Sequence, residues 1–259
     1  MGVRYLWGYV RANFEAALEY RASFFSQVAG MLLSDIMWLV FWLAYFSRFP
    51  LVSGWGRMDI VTLWAVVAAG YGVATAVCGN LLRMAGMILR GELDFFLSLP
   101  KPVLPHLLIS RMNLTAPGDV IFGFVVYGLV VHPAAGQWML FLLFVATTAM
   151  IMISFGVLTQ SLAFWLGSAE GLGQQLANAL INFSTYPTGI FHGAARLLLF
   201  SVIPAGFVAY LPVVLLRRFS APLLLGLIGF NLAISLLAWM VFHRGLRRYE
   251  SGNLLLTRD

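Results

Sequence analysis

The sequence predicts an all-α integral membrane protein with six transmembrane helices, an N-terminal interfacial helix and a re-entrant element before the last span. Of its 259 residues, 61% are hydrophobic and only 10% are charged, and the mean hydropathy is +0.89. A soluble domain carries roughly 25% charged residues, so this chain has too few polar side chains to cover a globule. The composition excludes soluble enzymes, secreted disulfide scaffolds and disordered chains.

The N-terminal residues 1–20 predict an amphipathic helix that lies in the membrane interface. Apolar residues recur at steps of three and four while charged residues occupy the other side. Arg11 and Glu15 are one turn apart and can pair. A cytosolic helix that packs on a partner is the alternative.

Six apolar segments are each long enough to be counted as spans, given that about 20 residues cross the hydrocarbon. They lie between Arg21 and Arg48, at 60–82, at 117–132, at 138–166, in a helix that follows residues 167–171 and reaches Tyr186, and at 222–242.

A seventh apolar run at 194–216 is interrupted by two prolines. With six spans and a cytoplasmic N-terminus, most basic residues fall on the cytoplasmic side, including the cluster at 244–248, as the positive-inside rule favours. Counting 194–216 as a span would move that cluster outside. We therefore expect a re-entrant element that enters from the external face, with both termini cytoplasmic.

The chain carries no recognisable catalytic motif. Its single lysine, Lys101, lies between two prolines, so there is no P-loop with a lysine to reach nucleotide phosphates. One cysteine, Cys78, allows no internal disulfide, and the four histidines are far apart in the sequence. We expect no catalytic residue, no bound metal and no cofactor on this chain.

The polar segment 90–100 between the second and third spans predicts a short helix with an apolar aromatic face, which Pro100 ends. Such a helix suits docking into a groove of a soluble partner. An ordinary loop helix lying on the membrane is the alternative.

Three segments together resemble permease subunits of the ABC type-2 exporter superfamily. The stretch GELDFFLSLPKPVLPHLL (91–108) is similar to their G-x-L-D-x-x-L-x-x-P signature. The stretch YPTGIFHGAARLLLFSVIPAGFVAYLPVVLL (186–216) resembles the Y-P-x-x-I-F…I-P-x-x-F…P pattern of one poorly characterised bacterial branch, and GLRRYESGN (245–253) resembles its C-terminal tail.

This resemblance implies one transmembrane permease domain over 1–259 that works with other chains in the bacterial inner membrane. The implied partners are cytosolic ABC ATPase subunits, which bind ATP and Mg²⁺, and a second permease that is either a related chain or another copy; nucleic acid is not expected. The segment 90–100 and the N-terminal helix would transmit ATP-driven closure. The residues that match the family's coupling region are Gly91, Glu92, Leu93, Asp94, Phe95, Leu97 and Pro100.

Three residues are candidates for a substrate path. Asp35 lies near the middle of the first span, where a charge is costly and usually faces a partner or a cavity. It could attract a cationic substrate or form a hydrogen bond across a helix interface. Asp119 could complement a helix start at Pro117 or lie on the transport path, and Tyr186 could line that path or simply pack.

Pro187, Pro204 and Pro212 interrupt helices at membrane depth. They could only shape the fold, or they could let an outer gate bend. The implied function is export of a hydrophobic or amphipathic compound, for example a cationic drug or a lipid. The alternatives are a proton-coupled secondary transporter, another multi-span protein without an ATPase partner, and an intramembrane enzyme.

Overall fold

The computed structural model describes residues 21–166 and 169–249, together with Gly8, Arg11 and Glu15. Its α-helices are α1 (Arg21–Arg48), α2 (Arg57–Val77), α3 (Met84–Leu89), α4 (Leu93–Leu97), α5 (Val103–Ile109), α6 (Pro117–Val126), α7 (Ala135–Gln160), α8 (Ala169–Ser184), α9 (Gly193–Ser201), α10 (Leu211–Arg217) and α11 (Ala221–Leu246). Short 3₁₀-helices lie at Leu81–Arg83, Ser161–Phe164 and Thr188–Ile190, and π-helices at Tyr127–Val131 and Gly206–Tyr210. Strands β1 (Leu51–Val52) and β2 (Trp55–Gly56) pair antiparallel.

The predicted interfacial helix at 1–20 lies outside the described residues, except for the three named above. These three are helical. The Arg11 Nε donates a hydrogen bond to the Glu15 Oε1 at 2.7 Å, so the predicted pairing of these two side chains is confirmed.

The all-helical membrane architecture is confirmed. Among the described residues, four helices are long and apolar enough to cross a membrane: α1, α2, α7 with its 3₁₀ extension to Phe164, and α11. The other two predicted spans are shorter, since the apolar helix at 117–131 has fewer than 18 residues and α8 has 16. The count of six spans stays a prediction.

Helix α2 is the centre of the fold. Every residue from Ile60 to Gly70 is buried, and α2 packs against both α6 and α7. Small residues permit this close packing, as is common between membrane helices. A Cβ on Gly70 would come within 2.3 Å of the Thr148 Cγ2 of α7, and one on Gly123 within 2.5 Å of the Ala65 carbonyl oxygen.

The segment 193–217 consists of two helical pieces bent by 77° relative to each other. Pro204 lies at the break between them, and Pro212 lies in the first turn of α10. In a continuous α-helix the N–H of residue 212 would bond to the carbonyl of Val208. The hydroxyl of Thr148 instead donates to this buried carbonyl at 2.9 Å, so α7 completes the hydrogen bonding of the bend.

A second apolar core lies apart from the one around α2. It joins α3, α4 and α5 to the end of α7 and to α11, through side chains that include Leu93, Phe96, Leu107, Val157 and Phe242. The short helices between the second and third predicted spans are therefore fixed to two long helices.

Candidate functional site: an acidic cavity and a cytoplasmic helix

A cavity of about 290 Å³ lies between α1, α2, α6 and the end of α8. Asp35 comes from the middle of α1, Asp119 from the first turn of α6, and Tyr186 from just beyond α8. The structure therefore brings together around one cavity the three side chains that the sequence marked as substrate-path candidates.

The carboxyl groups of Asp35 and Asp119 are neighbours in this cavity. Asp119 is 4% exposed. One oxygen of each group, Oδ2 of Asp35 and Oδ2 of Asp119, is buried and has no hydrogen-bond partner in the part of the chain that the structure describes. A carboxylate only accepts hydrogen bonds, so two adjacent carboxylates leave both groups short of a donor or a cation.

The predicted helix start is confirmed: α6 begins at Pro117, with Asp119 as the acid of its first turn. The side chain of Asp119 nevertheless lines the cavity. Gly118 of α6 faces Val28 and Leu32 of α1, and a Cβ there would lie 3.6 Å from Val28 Cγ1, an ordinary van der Waals distance. The packing of α6 on α1 brings Asp119 to Asp35.

Sequence reasoning missed several residues of the cavity. Tyr71 and Asn182 line it, and Asn182 is one of several amide side chains in α8, so its residue type alone did not mark it. Trp38 also lines it, and its ring stacks on that of Trp64, another lining residue, with centroids 6.0 Å apart. Their pairing joins α1 to α2 and has no signature in the sequence.

A second cavity, the aromatic groove, adjoins the first and has a volume of about 580 Å³. Its lining is mostly apolar, and the residues that line both cavities are Ser34, Trp38 and Tyr186. Phe41 and Trp42 line only the groove, and Trp42 packs edge to face against Tyr186 with ring centroids 5.8 Å apart. The two cavities therefore meet along one side of α1.

The predicted gate prolines are all buried. Pro187 lies beside the aromatic groove. Pro204 and Pro212 belong to the bent segment and line neither the acidic cavity nor the groove.

In the segment 90–100, Gly91 has φ = +75° and reverses the chain after α3. The N–H of Gly91 bonds to the Ile88 carbonyl at 3.3 Å, and that of Glu92 bonds to the Met87 carbonyl at 3.0 Å. This is a Schellman motif, whose left-handed residue is usually glycine. The exposed Glu92 also accepts a hydrogen bond from Arg90 Nε at 2.7 Å.

Helix α4 does not present all of its apolar side chains to solvent. Phe95 is 62% exposed and Leu97 45%, whereas Leu93 is fully buried and Phe96 is 5% exposed. Leu93, one of the predicted coupling residues, packs in the second core and is not on the exposed surface of α4, and its part in coupling stays a prediction. The spacing of three residues between 93 and 96 already indicates one buried helical face. Pro100 is exposed at the end of the segment.

Tyr249, just beyond the end of α11, lies against α4. Tyr249 packs edge to face against Phe164 with centroids 6.4 Å apart. Burial and, next, the neighbouring Asp94 raise the pKa of the Tyr249 hydroxyl to about 12. Two segments that resemble the exporter permeases, the signature at 91–100 and the tail at 245–253, thus touch in the fold.

Within residues 21–166 and 169–249, no three His, Cys, Asp or Glu side chains lie close enough to hold a metal ion. The fold and its cavities define a multi-pass helical membrane protein with an exposed aromatic helix between its second and third predicted spans. Residues 32–252 match the family described as ABC-2 family transporter protein, and the chain belongs to this family. Its membrane subunits are generally not catalytic, the ATPase being a separate subunit. No curated protein and no solved structure gives a match to the chain.

Proposed function

We propose that this chain is the transmembrane permease subunit of an ATP-driven exporter in a bacterial inner membrane. The compound moved outward is hydrophobic or amphipathic, and a separate ATPase subunit hydrolyses ATP. The observation that carries the proposal is the family match over residues 32–252. It is supported by α4, which exposes Phe95 and Leu97 while its opposite face is buried.

The proposed topology has six spans and two cytoplasmic termini. The short helices at 117–131 and 169–184 would be the third and fifth spans, and the segment 193–217 would re-enter from the outside. The bend of 77° supports this, since one straight span would not require it. Helical breaks at such depth are tolerated where protein covers them, as Thr148 does here.

The ATPase would dock on α4. Phe95 and Leu97 would enter a groove on the ATPase, while Gly91, Glu92, Asp94 and Pro100 shape and flank the contact. Leu93 and Phe96 would pass the force of docking into the second core, which contains Val157 of α7 and Phe242 of α11.

A second permease, either another copy or a related chain, would complete the transporter. The apolar surfaces of α1 and α11 support this, because many of their large side chains are exposed. The largest exposures are those of Phe25, Leu33, Met37, Leu225 and Leu232. Lipid would cover whatever part of these surfaces the second permease leaves free.

The test is purification of the tagged chain in mild detergent from its native membrane, followed by mass spectrometry and an ATP hydrolysis assay. We expect an ATPase with a P-loop, and we expect Phe95→Ala to lose it. The matched control is Phe219→Ala, because Phe219 is 59% exposed but follows α10, on the external side in the proposed topology. A chain that purifies without an ATPase under every condition would overturn the proposal.

A proton-coupled secondary transporter is the second candidate, favoured by one observation. The carboxyl groups of Asp35 and Asp119 lie together in the acidic cavity, and paired acids are common in proton relays. Inverted vesicles decide between the two candidates: the exporter accumulates substrate with ATP in the presence of a protonophore, and the secondary transporter does not.

A further inference from the structure

We propose that the acidic cavity and the aromatic groove form one binding site for a lipophilic organic monocation. The cationic group lies against Asp35 and Asp119, and the apolar body extends over the aromatic groove. This inference rests on the proposed function, since it names the class of substrate that the permease would accept.

The first step of the argument is the missing counter-charge. Asp119 is only 4% exposed and lines the cavity. Its Oδ2 atom, like the Oδ2 atom of Asp35, has no hydrogen-bond partner among the described residues. None of the described side chains that line this cavity is basic. Adjacent carboxyl groups either share a proton or bind a positive group, and a cation that enters this cavity meets no basic side chain of the described lining that would compete for the pair.

The second step concerns the charge and type of that cation. Asp119 lies in the first turn of α6, where the helix dipole and free amides favour one negative charge. A single positive charge then balances the pair. Trp38 and Trp64 also line this cavity, and aromatic rings attract organic ammonium and related cations.

The third step is the continuity of the two cavities. Trp38, Ser34 and Tyr186 line both, so the two cavities are adjacent and a molecule held at the carboxyl pair lies beside the groove. The groove is lined by Met37, Phe41 and other apolar side chains and has about twice the volume of the acidic cavity, 580 against 290 Å³. A small charged end and a larger apolar body fit this division.

The test is binding of tritiated tetraphenylphosphonium to the purified full-length chain in nanodiscs of phosphatidylcholine, measured by equilibrium dialysis. We expect saturable binding. Tetraphenylborate, with the same four phenyl groups but a negative charge, should not compete. Equal competition by the two ions would overturn the proposal.

Two variants that each replace one aspartate by asparagine test the part of the site that binds the cationic group. Asp35→Asn and Asp119→Asn should each weaken binding by roughly tenfold or more, because each removes one buried charge from the pair. The new amide can donate to the remaining carboxylate, so both variants should fold, as size-exclusion chromatography will check. Glu15→Gln is the control, since Glu15 is an exposed acid on the N-terminal helix. Unchanged binding by the double variant, with both Asp35→Asn and Asp119→Asn, would overturn the proposed site.

A variant of the groove tests the apolar end and stays informative if the acidic variants aggregate. Phe41→Ala should weaken binding of tetraphenylphosphonium but leave competition by tetramethylammonium unchanged, because the small ion does not reach the groove. Equal loss for both ions would contradict the division of the site. None of these assays uses ATP, so binding without any co-purified ATPase would overturn the exporter alone, and a co-purified ATPase without binding would overturn this inference alone.

Discussion

The hydrogen bond from Thr148 to the carbonyl of Val208 is the contact most open to a quantitative test. Both residues are fully buried, and the bond length is 2.9 Å. Thr148→Val removes this donor from the carbonyl at the point where Pro212 has already removed an N–H. The methyl group that Thr148 places beside Gly70 is kept.

The expected cost follows from the size of such bonds. A buried acceptor left without its donor costs about 1–3 kcal/mol in soluble proteins, and hydrogen bonds between membrane helices average about 0.6 kcal/mol with a maximum near 1.7. We therefore expect Thr148→Val to lower the free energy of unfolding by about 1 kcal/mol, which changes the folded-to-unfolded ratio about fivefold.

Reversible unfolding in mixed detergent and SDS micelles measures this difference. Thr148→Ser is the matched control, since it keeps the hydroxyl and loses the methyl contact with Gly70. If Thr148→Val is as stable as the parent chain while Thr148→Ser is destabilised, methyl packing rather than the hydrogen bond holds the bend, and the reasoning fails.

Three further outcomes are expected. Phe96→Ala should destabilise the chain by about 3–5 kcal/mol in the same unfolding assay, because it leaves a cavity in the second core. Phe95→Ala should change stability by about 0.5 kcal/mol or less, because Phe95 is exposed. Equal losses would contradict the burial of Phe96 and the exposure of Phe95. Burial and, next, Lys101 lower the pKa of His106. The neutral side chain therefore contributes stability above the unfolded pKa of about 6.5, and this contribution is lost as the pH falls through the folded pKa. The melting temperature should drop between about pH 7 and pH 5, and His106→Gln should reduce that drop. Arg217 pairs with Asp59 and donates to the Gly54 carbonyl at 3.3 Å, so Arg217→Met should cost about 1 kcal/mol at low salt and less at high salt, and a loss independent of salt would assign the effect to packing.

Sequence reasoning reached those parts of the fold that local chemistry determines. The first long helix ends at Arg48, a charge at the end of the first apolar segment, and Pro117 begins α6 because its missing N–H is harmless in a first turn. The bend in 193–217 follows from two prolines within an apolar run. Such features depend on residues near in sequence, so their positions could be read directly.

The candidate site depends on contacts that are distant in sequence. Asp35 and Asp119 meet because α6 packs against α1, and no local pattern in the sequence predicts that packing. The same holds for Trp38 against Trp64. The burial of Leu93 with Phe96 had a local signal in their spacing, but composition alone made the whole segment look exposed.

The way in which α1 is attached has a mechanical consequence. Its buried side chains, Leu39, Trp42 and Phe46, all lie in its second half, whereas Asp35 and the other residues that it gives to the acidic cavity come before or beside them. The first half of α1 has no buried side chain and contacts α6 near Gly118 through Val28 and Leu32. We expect a substitution that weakens the packing of Trp42 to change the width of the acidic cavity, and so which molecules fit, before it disturbs the packing of α2 against α7.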